Sequence, residues 1–242
     1  MIYIIGIGPG GSMDYLTSKA YEIIKEKANI GLYIGEMIGK DIQYLFKDKE
    51  FLLGDISKGK VKQIINESYS KNKNLVILMP GDSSFYSGQY GEQYMLHEYV
   101  EMFKQQDYKY EIIPGITALN SICSKLSIDI TSFSSNQNVF ITSIERTRDR
   151  NQFKEKEFRK VCTTKPNIVL YQSYRDWSLI RQILISENYD SNTRIIFAYK
   201  ISWESEEKII DTTLENTEKD LVGVKIEKHT IILILPNIVK NV

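Results

Sequence analysis

Residues 1–11 read MIYIIGIGPGG, an apolar run that enters a loop rich in glycine. A helical pattern follows over residues 16–27, with Thr17 or an earlier polar residue as its cap. This order of strand, loop and helix is typical of nucleotide-binding proteins, and the loop meets the G-x-G-x-x-G spacing formally. However, Pro9 has no N–H to donate to a pyrophosphate, and the helix starts too late. Two interpretations remain, a tight turn at the strand exit and a loop that binds another ligand.

Two further apolar runs end in the same way. Residues 75–83 read LVILMPGDS and residues 110–118 read YEIIPGITA, so each run stops at a Pro-Gly turn. In open α/β sheets, ligands bind at the carboxyl ends of the strands. Asp82 is expected there either to accept hydrogen bonds from a ribose or an amine, or to cap a helix, while Thr117 and Ala118 leave room for a flat ligand. The three turns together predict a small-molecule site.

The alternation of apolar runs and helical patterns predicts an α/β protein with two domains. Over residues 1–113 strands alternate with helices, which predicts a mostly parallel sheet covered on both faces. Residues 114–242 are richer in strands and predict a second α/β domain with a mixed sheet, in which the charged run 145–160 reads as a solvated helix and loop. The predicted strands cover residues 2–5, 30–34, 75–79, 110–113, 138–142, 168–171, 194–200, 207–213 and 230–235, and the predicted helices cover residues 16–27, 41–46, 60–71, 93–106, 118–126 and 177–187.

The composition argues against several classes of function. The 242 residues carry 31 Lys and Arg against 31 Asp and Glu, so no global charge favours nucleic acid. The two cysteines and two histidines show no metal-ligand spacing, so we expect no metal site. The two cysteines are far apart in the sequence, so we expect them to be buried or free thiols of a protein in a reducing compartment. No targeting segment and no membrane-length apolar run is visible, so we expect a cytoplasmic protein without a membrane partner.

No catalytic residue is assigned from a motif. The chain has no Cys/His or Ser/His/Asp arrangement with a recognisable local signature. Transfer of a group from an already activated donor needs positioning more than acid–base chemistry. The catalytic residues are therefore left unknown.

The three glycine motifs, GIGPGG, PGDSSFYS and EIIPGITALNSICSKL, resemble in order and spacing those of the tetrapyrrole (corrin/porphyrin) methylases. Residues 192–214, NTRIIFAYKISWESEEKIIDTTL, are similar to the corresponding segment of the precorrin-4 and cobalt-precorrin-4 C11-methyltransferases. The resemblance implies two α/β domains that hold S-adenosylmethionine in the cleft between them, largely through main-chain groups, and a homodimer. It also implies an in-line substitution in which a carbon of a tetrapyrrole attacks the sulfonium methyl, leaving S-adenosylhomocysteine.

The family motifs imply a set of donor-binding residues in each half of the chain. The loop that contains Pro9 is implied to form a wall of the donor trough, on the tetrapyrrole side. The implied set is Pro9, Gly81, Asp82, Ser83, Thr117, Ala118, Tyr171, Gln172, Ala198 and Thr230.

The chain departs from the family pattern where the methyl acceptor is expected. Gly11-Ser12-Met13 stands in place of Asp-Pro, and Ser83 in place of the proline of Gly-Asp-Pro. The acceptor is therefore left open between a corrin precursor methylated at C11, another ring position and a peptide backbone amide, and a relative that binds the donor without turnover is a further alternative. A tetrapyrrole acceptor with several carboxylates would require cationic side chains nearby, and the candidates are Arg146, Arg148, Arg150 and Lys200. Each of them can also be an ordinary solvated charge on the surface.

Overall fold

The computed structural model describes residues 1–10, 12–35, 37–85, 94–132, 137–144, 155–203, 205–224, 227 and 229–236. The chain divides into two compact units, which we call unit 1 (Met1–Ser121 with Ser202–Glu204) and unit 2 (Ile122–Ile201 with Ser205–Val242). This division falls inside a helix, Ala118–Lys125, whereas the predicted domain boundary at residues 113–114 precedes that helix. In the described part of the chain, no helix is both long and apolar enough to cross a bilayer.

Unit 1 contains a five-stranded parallel sheet in the order β3-β2-β4-β1-β5. All five residues of both β1 and β4 are buried, because a parallel sheet covered on both faces requires continuous apolar runs. In register, β1 pairs with β4 on one side and with β5 on the other. The strands are β1 Ile2–Gly6, β2 Ile30–Ile34, β3 Glu50–Gly54, β4 Leu75–Met79 and β5 Tyr110–Ile113.

Helices cover both faces of this sheet. One apolar layer includes Ile24 and Phe46, and the opposite layer includes Val61 and Phe103. The first helix begins after Thr17, whose Oγ1 accepts a hydrogen bond from the N–H of Ala20 at 3.2 Å, and it continues as a π-helical turn, Ile23–Lys27. These helices are α1 Ser18–Glu22, α2 Lys40–Tyr44, α3 Lys58–Ser70 and α4 Leu96–Gln105, and α5 Ala118–Lys125 follows β5 and contains the division between the units.

Unit 2 contains a five-stranded mixed sheet in the order β6-β7-β10-β8-β9. β6 and β7 are parallel and the other neighbours are antiparallel, so the carboxyl ends of β7 and β8 flank the start of β10. The core includes Trp177 and Phe197, whose rings pack edge to face at 4.9 Å between centroids. The elements are β6 Val139–Ser143, α6 Glu155–Cys162, β7 Asn167–Tyr171, α7 Trp177–Ser186, β8 Arg194–Tyr199, β9 Lys208–Thr213, α8 Thr217–Asp220 and β10 Thr230–Leu235.

The predicted fold class is confirmed, with a parallel sheet in the first half and a mixed sheet in the second. The sequence did not predict β3, a half-exposed edge strand whose five residues follow a charged stretch. Helix α6 lies in the charged run that was expected to be solvated, and one of its faces buries Phe158 and Cys162. The rest of that run, residues 145–154, lies outside the described residues.

A buried hydroxyl fastens the ends of β6 and β7. Ser173 is fully buried, and its Oγ accepts from the N–H of Ile144 at 2.7 Å and donates to the carbonyl of Tyr171 at 2.8 Å. Both strands therefore end at a fixed separation, and the residues that follow β7 start from a defined position.

Replacing this hydroxyl is expected to cost stability. Ser173→Ala leaves a buried N–H and a buried C=O without that partner, which should lower the free energy of unfolding by about 1–3 kcal/mol. Ser70→Ala removes a hydroxyl that bonds the carbonyl of Glu67 at the exposed end of α3, and should stay within about 0.5 kcal/mol of the parent. Urea unfolding of the two variants tests this, and equal stabilities would contradict the fastening role.

Candidate ligand-binding site

The three glycine turns of unit 1 meet through their backbones. A Cβ on Gly115 would lie 2.2 Å from the carbonyl oxygen of Gly81 and 2.6 Å from the carbonyl carbon of Gly6, so no side chain fits there. Gly8 and Gly81 exchange two main-chain hydrogen bonds across an antiparallel bridge. We call this contact of the turns after β1, β4 and β5 the glycine crossing. The three turns therefore lie together at one edge of the parallel sheet.

Asp82 joins two of these turns. Its side chain is buried, with 9% of the residue exposed. Oδ1 accepts from the N–H of Ser84 at 2.8 Å, and Oδ2 accepts from the N–H of Gly115 at 2.9 Å. The sequence offered a ligand contact or a helix cap for this residue, and the structure shows a third role, a bridge between main-chain segments. Each oxygen keeps a second lone pair for another donor.

The turn at Gly81 is open on one side. Its φ of 66° lies in the left-handed region, yet a Cβ placed there would meet no described atom within 4 Å. The neighbouring Ser83 is buried. No described atom therefore occupies the place of a side chain at Gly81, whereas main-chain atoms fill that place at Gly115.

The start of α5 adds hydroxyl groups to this edge. Thr117 caps the helix, since its Oγ1 accepts from the N–H of Asn120 at 3.3 Å and donates to the side-chain oxygen of the same residue. Ala118 follows, half-buried. One turn further, Ser121 is buried and its Oγ makes no hydrogen bond among the described residues. Sequence reasoning missed Ser121, although a small polar residue four positions after the cap lies on the same helix face.

The opening loop is held by side chains and main chain from elsewhere in unit 1. The N–H of Met13 donates to Asp41 Oδ2 at 2.6 Å, and the N–H of Gly39 donates to the carbonyl of Gly10 at 2.7 Å. The carbonyl of Pro9 accepts from the indole N–H of Trp203 at 3.2 Å. Pro9 and Gly10 are therefore anchored through their carbonyl groups, which a phosphate cradle built from N–H groups would not require. Gly11 lies outside the described residues.

The residues implied in unit 2 lie side by side on its sheet. Ile231 of β10 pairs with Tyr171 of β7 and with Ala198 of β8, and Thr230 is the preceding residue of β10. Gln172 follows β7 with φ of 52°, an uncommon value for a residue with a side chain. The structure therefore brings these implied residues to one edge of the sheet in unit 2.

Several polar atoms at this edge are buried without a partner among the described residues. They are Gln172 Oε1, Thr230 Oγ1 and Ser143 Oγ, and Thr230 is only 1% exposed. Buried polar atoms in proteins are almost always hydrogen-bonded, because an unpaired one costs about 1–3 kcal/mol. A polar ligand that bonds these atoms would remove that cost. Ser143 was not singled out by the sequence.

The ionisable groups offer little acid–base chemistry. Burial raises the pKa of both the Cys123 and the Cys162 thiol to about 11, so neither is a thiolate at neutral pH. Lys200 pairs with Glu206, and this hydrogen bond raises the pKa of Lys200 above its ordinary value. The other candidate cations, Arg146, Arg148 and Arg150, lie outside the described residues. Among the described residues, no cluster of His, Cys, Asp or Glu is arranged to hold a metal.

A cavity of about 530 Å³ lies at the opposite edge of the unit 2 sheet. Three of its charged groups have partners in the cavity wall: Arg194 contacts both oxygens of Asp211 at 2.8 and 3.0 Å, and Asp220 accepts from the hydroxyl of Thr212 at 2.6 Å. None of the implied donor-binding residues lines it. We therefore do not assign the ligand to this cavity.

A family model matches most of the chain. The model described as Tetrapyrrole (Corrin/Porphyrin) Methylases covers residues 1–218. A cobalt-precorrin-4 C(11)-methyltransferase of Methanocaldococcus jannaschii is 24% identical over 236 residues, covering 96% of this chain and 86% of the relative. A uroporphyrinogen-III C-methyltransferase of Bacillus subtilis is 27% identical over 244 residues, covering 96% of this chain and 89% of the relative.

Solved structures share the fold. A cobalt precorrin-4 methyltransferase, described as a cobalamin biosynthetic enzyme, superposes with a TM-score of 0.82 at 22% identity, over 96% of this chain and 93% of that chain. A uroporphyrin-III C-methyltransferase from Thermus thermophilus, complexed with S-adenosylhomocysteine, gives a TM-score of 0.73 at 19% identity, over 96% and 95%. At these identities the likeness shows the two-unit α/β fold.

A side chain in the glycine crossing is expected to destabilise the protein. Gly115→Ala places a methyl group against main-chain atoms of two other turns, which cannot move aside as a side chain would, so we expect a loss of about 3 kcal/mol. Gly59→Ala is the matched control. Gly59 lies in α3, where a Cβ meets no described atom within 4 Å, and alanine there should be neutral or add up to about 1 kcal/mol. Thermal and urea unfolding measure both variants, and a Gly115→Ala protein as stable as the parent would contradict the crossing.

Proposed function

The chain belongs to the tetrapyrrole (corrin/porphyrin) methylases, and we propose that it transfers the methyl group of S-adenosylmethionine to a carbon atom of a tetrapyrrole. The observation that carries the proposal is the glycine crossing, which brings the turns after β1, β4 and β5 into contact at one edge of the sheet, beside the buried carboxylate of Asp82. Relatives named as methyltransferases of cobalt-precorrin-4 and uroporphyrinogen-III support the reaction class.

We assign binding of the methyl donor to the residues that the family resemblance implies, some of which lie in unit 1 and the others in unit 2. In unit 1, the turn Gly81-Asp82-Ser83 would approach the donor at Gly81, where no side chain intervenes, and Thr117 with Ala118 would leave space at the start of α5. The loop at Pro9 would form a wall. In unit 2 the set is Tyr171, Gln172, Ala198 and Thr230.

The chemistry of these groups fits the donor. S-adenosylmethionine carries an ammonium group, ribose hydroxyls and an adenine amino group, all of which donate hydrogen bonds. Gln172 Oε1 and Thr230 Oγ1 are buried acceptors without a partner among the described residues. No metal is part of the proposal, because a sulfonium is already an activated methyl donor.

Catalysis in this proposal rests on alignment. The bound sulfonium supplies a methyl group whose bond to sulfur breaks, with its electron pair going to sulfur, as an electron pair of the acceptor carbon forms the new C–C bond. The residues of the chain hold the two partners in line and exclude water. We assign no general base, and neither cysteine serves as a nucleophile, since the pKa of each thiol is about 11.

For the acceptor we propose a corrin precursor of the precorrin-4 type, methylated at C11 in cobalamin biosynthesis. The similarity of residues 192–214 to that branch and the relative from Methanocaldococcus jannaschii support it. The relative from Bacillus subtilis favours the second candidate, another position on a tetrapyrrole ring. A cytoplasmic homodimer is proposed on the family resemblance alone.

Donor binding and turnover test the proposal directly. Titration calorimetry with S-adenosylhomocysteine is expected to show saturable binding, and incubation with S-adenosylmethionine and cobalt-precorrin-4 should add one methyl group by mass spectrometry. A parallel reaction with uroporphyrinogen-III in place of cobalt-precorrin-4 tests the second candidate, for which the methyl group would be added to uroporphyrinogen-III. If no binding occurs at millimolar S-adenosylhomocysteine, the proposed function is wrong.

Asp82 gives the matching mutational test. Asp82→Asn replaces one acceptor oxygen by an NH₂ group that faces a main-chain N–H, and is expected to weaken S-adenosylhomocysteine binding about tenfold, equivalent to about 1.4 kcal/mol. Asp107→Asn is the control: this aspartate is exposed, with φ of 54°, which asparagine adopts readily. Equal affinities for the two variants would remove Asp82 from the donor site.

A further inference from the structure

Trp203 is hydrogen-bonded to Pro9 of the opening loop, although the two residues are 194 positions apart in the sequence. Its indole N–H donates to the carbonyl of Pro9 at 3.2 Å, and its Cζ2 lies 3.9 Å from the position that a Cβ on Gly10 would take. The indole therefore covers the peptide between these two loop residues. Trp203 itself is half-buried.

The backbone that leads to Trp203 is held in an uncommon conformation. Lys200 has φ of 45° and Ser202 has φ of 74°, and neither is a glycine. Such residues persist only where the surrounding structure fixes them, and they concentrate at functional sites. Ile201 and Ser202 are buried, and Ser202–Glu204 belongs to unit 1 although the residues on either side belong to unit 2. The chain thus follows a constrained path that brings Trp203 to the loop.

Two successive carbonyl groups of the loop are held by different partners. The carbonyl of Gly10 accepts from the N–H of Gly39 at 2.7 Å, while that of Pro9 accepts from Trp203. The carbonyl of Gly8 bonds the N–H of Gly81, so the loop is continuous with the open turn. Of these anchors, the one at Pro9 comes from a side chain, and it fixes the orientation of the Pro9–Gly10 peptide.

We propose that Trp203 is a positioning residue for the methyl donor, which acts by fixing the Pro9–Gly10 peptide beside the turn at Gly81. This inference rests on the proposed function, because it requires S-adenosylmethionine to bind at that turn. Loss of the indole N–H should change donor affinity while leaving the fold intact, since the glycine crossing and the Asp82 bridge do not involve Trp203.

The experiment compares three single variants by calorimetry with S-adenosylhomocysteine and by thermal unfolding. Trp203→Phe keeps an aromatic ring but removes the N–H, and is expected to weaken binding about fivefold without a change in unfolding temperature. Trp203→Ala should weaken it further. Trp177→Phe, at the other tryptophan of the chain, in the core of unit 2, should leave the affinity unchanged.

The Trp177→Phe protein also supplies a direct signal, because Trp203 is then its sole tryptophan. Its emission should shift on addition of S-adenosylhomocysteine, with the dissociation constant that calorimetry gives. If the parent binds the ligand, but Trp203→Phe binds equally well and the emission does not respond, the inference is wrong and the proposed function stands. If the parent does not bind, both are wrong.

Discussion

The direct contact of three backbones at Gly6, Gly81 and Gly115 is the constraint on which the site in unit 1 depends. A Cβ at Gly115 would come within 2.2 Å of a carbonyl oxygen, so the turns approach this closely only as glycine. The order β4-β1-β5 makes the turns neighbours, and the Asp82 carboxylate bonds one to another. The sheet therefore brings the main chains of the three turns into direct contact at one edge.

The edge of the sheet in unit 2 is built from side chains. There the strands end at side chains, and a buried hydroxyl of Ser173 fixes the ends of β6 and β7. Gln172 and Thr230 bring buried oxygens that the described residues do not satisfy. Such atoms cost stability in the isolated protein and gain a partner when a polar ligand binds. The edge of unit 2 therefore presents side-chain oxygens, whereas the edge of unit 1 is built from main-chain contacts.

Much of this could be predicted from local patterns. The runs that form β1 and β4 are apolar throughout, and a parallel sheet buried on both faces requires that pattern. The edge strand β3 was not predicted from the sequence, because a half-exposed strand does not require a long apolar run. The bonds of Asp82 to Gly115 and of Trp203 to Pro9 depend on residues far apart in the chain, so no local pattern could reveal them. The family resemblance supplied the proposed donor residues, but not these bridging roles.

The central claim is that the glycine crossing carries the methyl donor, and selective ¹⁵N-glycine labelling tests it most directly. The chain has 14 glycines, so amide signals can be assigned by single substitutions and followed during titration with S-adenosylhomocysteine. Saturable shifts are expected for the amides of Gly81 and Gly115, whereas the amides of Gly59 in α3 and of Gly223 should not move. Saturation of the protein with the ligand while the signals of Gly81 and Gly115 stay in place would contradict it.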